Sequence, residues 1–332
     1  MRVLVLGAGA IGGYFGGRLL EAGVAEEVAF LVRPGRKAQL DRDGLAIESP
    51  AGDFRRRPVR ALLAGEAGPG WDVVLLTCKA YDLDDAIEAL RPAVGEGTAV
   101  LPLLNGISHL ERLEAAFGPG RVLGGLTKVA VLMTPEGTVR QFAPPQLIEF
   151  GELDGRMSPR VLAFQAAFAG TVVQAEAAPD ALRRMWEKLV IFGTVATATV
   201  LMRAALGEVA AAPGGAAWLE RLLRRNAAIA AAHGHPAREE VVEGLYLPYL
   251  RGTPHATSSM SRDLEAGRRI EADHVLGFLL EAARRAGVPD EVHEAAYLHA
   301  KAYEARRDAG RLPGAQAPER KGQSKLRSGG IT

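Results

Sequence analysis

Residues 1–18, MRVLVLGAGAIGGYFGGR, decide the fold of this chain. Residues 3–6 form an apolar, β-branched run that is typical of a strand buried on both faces. Three glycines follow in G-x-G-x-x-G spacing, and residues 10–22 have the pattern of a helix. This order favours a tight turn that holds a pyrophosphate against free N–H groups at the helix N-terminus. The predicted dinucleotide-binding residues of the turn are Gly7, Ala8, Gly9, Ala10, Ile11 and Gly12.

The residue after the second predicted strand, which covers residues 27–32, indicates which dinucleotide is preferred. An acid at this position would hydrogen-bond the ribose 2′-hydroxyl of NAD. Here the position holds Arg33, with Arg36 and Lys37 close behind and no acid among them. Since a guanidinium pairs well with phosphate, the sequence predicts NADP(H) as the cofactor. The alternative is a solvated, basic start of a helix.

Strand-like and helical patterns alternate up to about residue 117, which predicts parallel βα units. Plain strand-like runs come next, with turn signals at residues 135–137 and 144–145. After Pro179 the chain is rich in helical patterns. We therefore predict an α/β fold with an N-terminal Rossmann-type doubly wound sheet, an antiparallel extension and a C-terminal all-helical domain. The strand-like runs of the extension cover residues 122–127, 130–133, 138–142 and 147–150.

The same change of pattern predicts three regions. Residues 1–177 form the NADP-binding domain, and residues 178–308 form a helical domain with substrate and catalytic groups. Residues 309–332 are rich in Gly, Pro, Gln and Arg, a composition that predicts a disordered basic tail.

The composition is typical of a soluble globular protein, with 48% hydrophobic and 24% charged residues. A formal net charge of +1 argues against a nucleic-acid partner. The single cysteine, Cys78, excludes an internal disulfide framework, and the chain begins directly on a predicted strand, so we expect a cytoplasmic protein without a signal peptide. The uncharged run 189–202 is shorter than the ~20 residues of a membrane span. We expect a buried core helix there, one that could seed a homodimer interface, and no membrane contact.

Lysine is scarce in this chain, with seven lysines among 40 basic residues. Lys188 directly precedes the apolar run 189–192, so its ammonium should be poorly solvated and its pKa should fall towards the range useful for proton donation. The alternative is a lysine that snorkels at the rim of a core helix. Glu271 opens a predicted helix and could act in a site or simply cap that helix.

Other polar residues stand where a ligand could reach them. Lys79 and Asn105 follow two predicted strands, at the edge where α/β sheets bind ligands, or else belong only to turns. Ser258 and Ser259 could cap the helix that follows them. The histidines show no metal-ligand spacing, so no metal site is predicted. Cys78 lacks a partner histidine in sequence and is predicted to be a small buried residue.

A series of short motifs lies along the chain. They are GAGAIGG at residues 7–13, Arg33, TCKA at 77–80, LLNG at 103–106, WEKL at 186–189, SSMSRD at 258–263 and EADHVLG at 271–277. This order resembles the ketopantoate reductases (2-dehydropantoate 2-reductases), and the resemblance extends to about residue 308. The last three motifs are the most specific.

The resemblance implies NADPH-dependent reduction of a 2-oxo acid, 2-dehydropantoate to pantoate, in pantothenate biosynthesis. It implies that Lys188 is the general acid that protonates the developing alkoxide and that Glu271 holds the hydrogen-bond network of the site. Lys79, Asn105 and Glu271 would contact the cofactor. Asn105, Lys188 and Ser259 would contact the substrate.

The sequence departs from the family where the substrate would bind. The family places two asparagines four and eight residues after the catalytic lysine, where this chain has Phe192 and Ala196. The last two motifs also differ at Ser261, Arg262, Ala272 and Leu276. We therefore expect the reduction chemistry to be retained and Phe192 and Ala196 to set the substrate range.

Three functional hypotheses follow. The first is reduction of a small-molecule 2-oxo acid, either ketopantoate or a more apolar relative, by NADPH. The second is an opine-type or imine-forming dehydrogenase, which would use the same fold on an amine adduct. The third is a non-catalytic NADPH-binding sensor or scaffold, against which the retention of Lys188 and Glu271 argues.

Overall fold

The first strand and the glycine turn form as the sequence predicts. In the computed structural model, which describes residues 1–312, strand β1 covers Arg2–Leu6 and helix α1 covers Ala10–Ala22. From residue 313 onwards the predicted basic tail lies outside the described residues. The strands that follow β1 are β2 (Glu27–Leu31), β3 (Leu45–Glu48), β4 (Phe54–Arg56), β5 (Ala61–Leu62), β6 (Val73–Leu76), β7 (Ala99–Pro102), β8 (Leu123–Met133), β9 (Val139–Glu152) and β10 (Gln174–Ala177).

Five of these strands form one parallel sheet in the order β5-β2-β1-β6-β7. Every residue of β6 and β7 is buried, which explains why both strands read as continuous apolar runs. The chain enters β1 at the middle of this sheet, so the loop after β1 lies between the ends of β2 and β6. The carboxyl ends of the strands meet at this edge, and ligands bind there in open α/β sheets.

The predicted antiparallel extension is a second, mixed five-stranded sheet, in which β9 pairs antiparallel with β8 and parallel with β10 and β3. The prediction of four short strands was wrong, because two long strands, β8 and β9, cover them. Pro144 and Pro145 were predicted to end a strand but lie inside β9. The ladder is irregular opposite them, between Val129 and Val131, so the missing proline N–H groups interrupt no regular pairing.

Beyond β10 the described chain is helical, and α6 is its central element. α6 packs against β8 and β9 of the second sheet and against helices on its other sides. The helices that follow α1 are α2 (Pro34–Asp43), α3 (Leu83–Leu90), α4 (His109–Phe117), α5 (Pro159–Ala166), α6 (Ala181–Met202), α7 (Leu206–Ala211), α8 (Gly215–Ala232), α9 (Glu239–Val241), α10 (Leu247–Gly252), α11 (Ser259–Glu265), α12 (Phe278–Ala286) and α13 (Glu291–Asp308).

The length and hydropathy of α6 are those of a helix that could cross a membrane, but 72% of its most apolar window is buried inside the protein. This burial agrees with the predicted core helix. One hydrophobic core lies between the parallel sheet, α1 and the second sheet. The other continues from the opposite face of the parallel sheet into the helices around α6. The helical half therefore rests directly on the sheet.

Candidate active site

The glycine loop between β1 and α1 is tightly packed at some positions and open at one. Gly7 has φ +95°, a conformation that favours glycine. A Cβ on Gly12 would lie 2.1 Å from the carbonyl oxygen of Gly7 and 2.3 Å from Thr77 Oγ1. A Cβ on Gly9 would meet nothing within 4 Å. The loop is therefore tightly packed on the sheet side and open in front of Gly9.

This open front suits a dinucleotide phosphate. The first N–H groups of a helix have no partner within the helix, and α1 begins directly after Gly9 with no side-chain cap. Ala8 is buried in the loop, and Ala10 and Ile11 are half-buried in the first turn of α1. All six predicted loop residues thus lie at the N-terminus of one helix, facing the edge of the sheet where ligands bind.

The structure places Arg33 and Arg36 differently. Arg33 is 76% exposed, and its Nη2 lies 3.2 Å from Asp82 Oδ2. Because β2 and β6 flank β1, this ion pair joins the two sides of the crevice above the glycine loop. Arg36 is half-buried, and its Nε donates to the carbonyl oxygen of Ala8 at 2.9 Å. Of the two arginines, Arg36 is the one that contacts the loop itself.

Lys188 and Asn105 meet across the two halves of the chain. Asn105 follows β7 at the sheet edge, Lys188 lies on α6, and Lys188 Nζ donates to Asn105 Oδ1 at 3.1 Å. The ammonium is half-buried and lies 5.9 Å from the ring centroid of Phe192, one helical turn further along α6. The amide of Asn105 is a neutral partner, and no carboxylate of residues 1–312 lies within 4.0 Å of this charge.

The pKa of Lys188 is lowered to about 8, mainly because the ammonium is buried and also because of the positive charge of Lys128. The carboxylates of Glu149 and Glu271 act in the opposite direction. Lys128 Nζ lies 3.3 Å from Glu149 Oε2. Glu149, which is 7% exposed, also pairs with Arg184, one turn before Lys188 on α6. The charge of Lys188 is therefore balanced against groups on β8, on β9 and before α12.

Glu271 joins the two halves rather than capping its own helix. Its Oε1 accepts the N–H of Ala80 at 2.9 Å, and its Oε2 lies 3.4 Å from Lys79 Nζ. Lys79 Nζ also donates to Asp263 Oδ2 at 3.2 Å. Burial alone would lower the pKa of Lys79, but the charges of Glu271 and Asp263 outweigh it and raise the pKa. Lys79 is thus a fixed cation at the end of β6, held by two carboxylates of the helical half.

A pair of imidazoles lies beside this contact. His109, at the start of α4, stacks on His274 with ring centroids 5.3 Å apart, and the nitrogen atoms Nδ1 of His109 and Nε2 of His274 are 3.3 Å apart. Ser108 Oγ lies 2.7 Å from Nδ1 of His274. Burial lowers the pKa of His109 to about 3 and also lowers that of His274, so both rings are neutral at pH 7. The contact between the two rings connects the segment that follows Asn105 with the segment that follows Glu271.

The predicted substrate residues lie in different environments. Phe192 is half-buried next to Lys188. Ala196 has no exposed surface, so its methyl group belongs to the packing around α6 and its contact with a substrate stays a prediction. Ser259 is half-buried at the first turn of α11. The N-cap of α11 is Ser258, whose hydroxyl accepts the N–H of Ser261 at 2.9 Å and pairs with Thr199 of α6 at 2.9 Å.

The remaining candidates are one cysteine and two histidines, and their surroundings indicate structural roles. Burial raises the pKa of the Cys78 thiol to about 12, which leaves it protonated. His233 and His235 both stack on Trp186, at 5.3 and 5.5 Å between centroids. Residues 1–312 contain no group of three His, Cys, Asp or Glu side chains that could hold a metal ion.

Sequence reasoning missed Lys128, Glu149, Asp263 and the His109–His274 pair. The scarcity of lysine could have marked Lys128, since arginine is the usual cation of this chain. The SSMSRD motif contains Asp263, but no spacing rule connects it with Lys79, 184 residues earlier. No sequence pattern indicates a role for Glu149 or the contact between His109 and His274.

Two family models match most of the chain. Residues 3–155 match the model described as ketopantoate reductase PanE/ApbA, and residues 180–304 match the model of its C-terminal domain. The chain is 34% identical over 305 residues to an uncharacterized oxidoreductase, YkpB, of Bacillus subtilis (strain 168), covering 92% of this chain and 99% of that protein.

Solved structures agree in fold. The crystal structure of 2-dehydropantoate 2-reductase from Methylococcus capsulatus has a TM-score of 0.82 at 28% identity, covering 92% of this chain and 98% of that one. The ternary structure of D-mandelate dehydrogenase with NADH and anilino(oxo)acetate has a TM-score of 0.80 at 19% identity, covering 93% and 99%. At that identity the second likeness shows the fold alone.

Proposed function

The chain belongs to the ketopantoate reductase family, and we propose that it reduces a 2-oxo acid with NADPH, with Lys188 as the proton donor. Membership of the family makes it an oxidoreductase that acts on a small molecule with a nicotinamide cofactor. The observation that carries the finer proposal is the half-buried ammonium of Lys188, which has a pKa of about 8 and a neutral amide as its partner.

The residues around the glycine loop suit the cofactor. Gly9 opens onto free space and Gly12 excludes any side chain, so the backbone can come close to a pyrophosphate. Arg33 and Arg36 provide positive charge on this side of the loop. Lys79 and Glu271 stand at the end of β6, where hydroxyl groups of a ribose would find both a donor and an acceptor. When bound, the nicotinamide supplies a hydride to the carbonyl carbon of the substrate.

Lys188 completes the reduction by moving one proton. As the carbonyl carbon gains the hydride, negative charge develops on its oxygen, and Lys188 Nζ transfers a proton to that oxygen. A pKa of about 8 keeps most of the ammonium protonated at neutral pH and makes the proton easier to release than from an ordinary lysine. Asn105 Oδ1 accepts a hydrogen bond from Nζ and thereby orients it.

Substrate selection is proposed to depend on the face of α6 next to Lys188. Phe192 presents an aromatic ring there, which has no hydrogen-bond donor or acceptor for a substrate hydroxyl. Ser259 lies in the first turn of α11, directly after Ser258, which pairs with Thr199 of α6, and its hydroxyl would bind the carboxylate of the substrate. A 2-oxo acid with an apolar side chain suits such a site at least as well as ketopantoate does.

The test is NADPH oxidation by the purified protein with a panel of 2-oxo acids, each with and without an added amine. We expect oxidation with 2-oxo acids alone, at rates that the amine does not raise. Oxidation only in the presence of an amine would instead indicate the imine-forming or opine-type activity. Binding of NADPH with no oxidation by any 2-oxo acid would indicate the sensor or scaffold. The panel includes ketopantoate and branched-chain and aromatic 2-oxo acids.

A further inference from the structure

Arg36 lies in the first turn of α2, between the glycine loop and the turn that joins β8 to β9. Its Nε donates to the carbonyl oxygen of Ala8 at 2.9 Å, and its Nη1 donates to Gln39 Oε1 at 2.6 Å. A Cβ on Gly137, in that turn, would collide with Nη1. The guanidinium is therefore held in a fixed place directly beside the loop.

The charge of Arg36 has no counterpart among residues 1–312. No carboxylate of this part of the chain lies within 4.0 Å of the guanidinium, whereas Arg33 pairs with Asp82 at 3.2 Å and Lys37 with Asp41 at 3.0 Å. The Nη2 of Arg36 is buried and has no hydrogen-bond partner in the described chain. Burial also lowers the pKa of Arg36.

A half-buried guanidinium without an anion is unusual, because buried charges in proteins are normally paired. Ala8 belongs to the glycine loop, whose free N–H groups and open front at Gly9 also attract an anion. The contacts of Arg36 are all to neutral groups, which position the charge without cancelling it.

We propose that Arg36, rather than the exposed Arg33, is the principal side-chain cation that holds a phosphate group of the dinucleotide. The inference rests on the proposed cofactor and adds the residue that binds it. The anion is either the pyrophosphate or the 2′-phosphate of NADPH, because both are phosphate groups of the proposed cofactor. The charge of Arg33 is already balanced in part by Asp82, whereas no carboxylate of residues 1–312 lies within 4.0 Å of the Arg36 guanidinium.

The test compares Arg36→Gln, Arg33→Gln and Arg42→Gln in the full chain. Arg42 is the matched control, since it lies on the same helix, is 68% exposed and, within the described part of the chain, pairs only with its neighbour Asp43. Dissociation constants for NADPH, NADH, 2′,5′-ADP and ADP are measured by calorimetry at one ionic strength, and the free energy of unfolding is measured for each variant. Arg36→Gln should weaken NADPH binding about 10- to 100-fold, the usual effect of a hydrogen bond to a charged group. Arg33→Gln should weaken it less, and Arg42→Gln not at all.

The two phosphate sources give different patterns. Equal losses for NADPH and NADH assign Arg36 to the pyrophosphate, and a loss confined to NADPH and 2′,5′-ADP assigns it to the 2′-phosphate. An Arg36→Gln protein that is folded and binds all four ligands within twofold of the parent overturns the inference, as does a larger loss in Arg33→Gln.

A second variant covers the case in which Arg36→Gln does not fold. Arg36→Lys keeps the charge but not the two neutral contacts, and it should retain more affinity for NADPH than Arg36→Ala. Equal affinities of these two variants also overturn the inference. All these outcomes concern binding, so they are independent of whether a 2-oxo acid is reduced, which alone decides the proposed function.

Discussion

The glycine loop and the Lys188 face of α6 would perform their proposed roles by different physical means. In the loop, the proposed functional group is the backbone, and steric contacts hold it, both within the loop, between Gly12 and the carbonyl oxygen of Gly7, and with Thr77 after β6. On α6, the proposed functional group is one ammonium whose pKa depends first on its burial and then on charges carried by Lys128, Glu149 and Glu271. We therefore expect an added side chain to impair the stability or cofactor binding of the loop. Removal of a charge should impair the proton transfer proposed for the α6 face.

The largest effect is expected from removing the ammonium itself. Lys188→Ala should lower kcat by roughly 10²–10⁴-fold, the usual range for the loss of a general acid, and should leave the dissociation constant for NADPH unchanged. Lys301→Ala, which removes a lysine paired with Asp273 and Glu304 on the protein surface, is the control and should keep parental kcat. Near-parental kcat in Lys188→Ala would make Lys188 a snorkelling lysine and would leave the α6 face without its central group.

The loop is tested by adding one methyl group at two neighbouring glycines. Gly12→Ala should lower the free energy of unfolding by about 1–3 kcal/mol, the usual cost of overpacking, because its Cβ would collide with backbone and with Thr77. Gly9→Ala should leave stability nearly unchanged, since its Cβ meets nothing within 4 Å, but should weaken NADPH binding because the methyl group occupies the open front. Denaturant unfolding and calorimetry measure both. Equal stability of the two variants would contradict the steric account of the loop.

The contrast between the two regions also explains what the sequence could predict. Helix α1 has the predicted bounds and strand β1 forms at the predicted apolar run, because both depend on neighbouring residues. Lys188 and Asn105 were singled out separately, yet no local pattern places them 3.1 Å apart across 83 residues of chain. Lys128 and Glu149 were not predicted, because their ion pairs form only when β8, β9 and α6 pack together.

The same reasoning applies to elements. Alternating βα units follow local rules of length and apolar pattern, so the parallel sheet was predicted correctly. β8 and β9 were each predicted as two strands, and β9 was divided because Pro144-Pro145 reads as a turn. Only the paired strand reveals the irregular ladder that accommodates the two prolines. Tertiary pairing decided the structure there, as it did for the charges around Lys188.

A smaller effect is expected at Phe192, which shares the α6 face with Lys188. Phe192→Asn would place an amide one turn from the proton donor, where a substrate hydroxyl could pair with it. The ratio of kcat/KM for ketopantoate over its analogue without the hydroxyl should rise by about 5- to 150-fold, corresponding to about 1–3 kcal/mol for a satisfied polar group. Phe192→Leu removes the ring without adding a donor and should leave the ratio unchanged. A parental ratio already above ~10³ would show that other groups bind the hydroxyl.

The smallest effect, and the sharpest test of the charge account, is a shift of the alkaline limb of kcat/KM. Only protonated Lys188 can donate, so the rate should fall as pH rises through about 8. Lys128→Met removes a positive neighbour, which should raise the pKa of Lys188 and move the limb to higher pH. Glu149→Gln removes a negative neighbour and should move the limb to lower pH.

Opposite shifts in these two variants are what a through-space charge effect requires, because Lys128 and Glu149 form one ion pair and a structural disturbance of that pair would act in one direction. Glu176→Gln is the matched control: Glu176 also pairs with Arg184, but it is 50% exposed and is not among the charges that set the pKa of Lys188. Its limb should stay at the parental pH. Shifts of the same sign in Lys128→Met and Glu149→Gln would mean that the pair supports α6 mechanically, and the α6 face would then resemble the glycine loop after all.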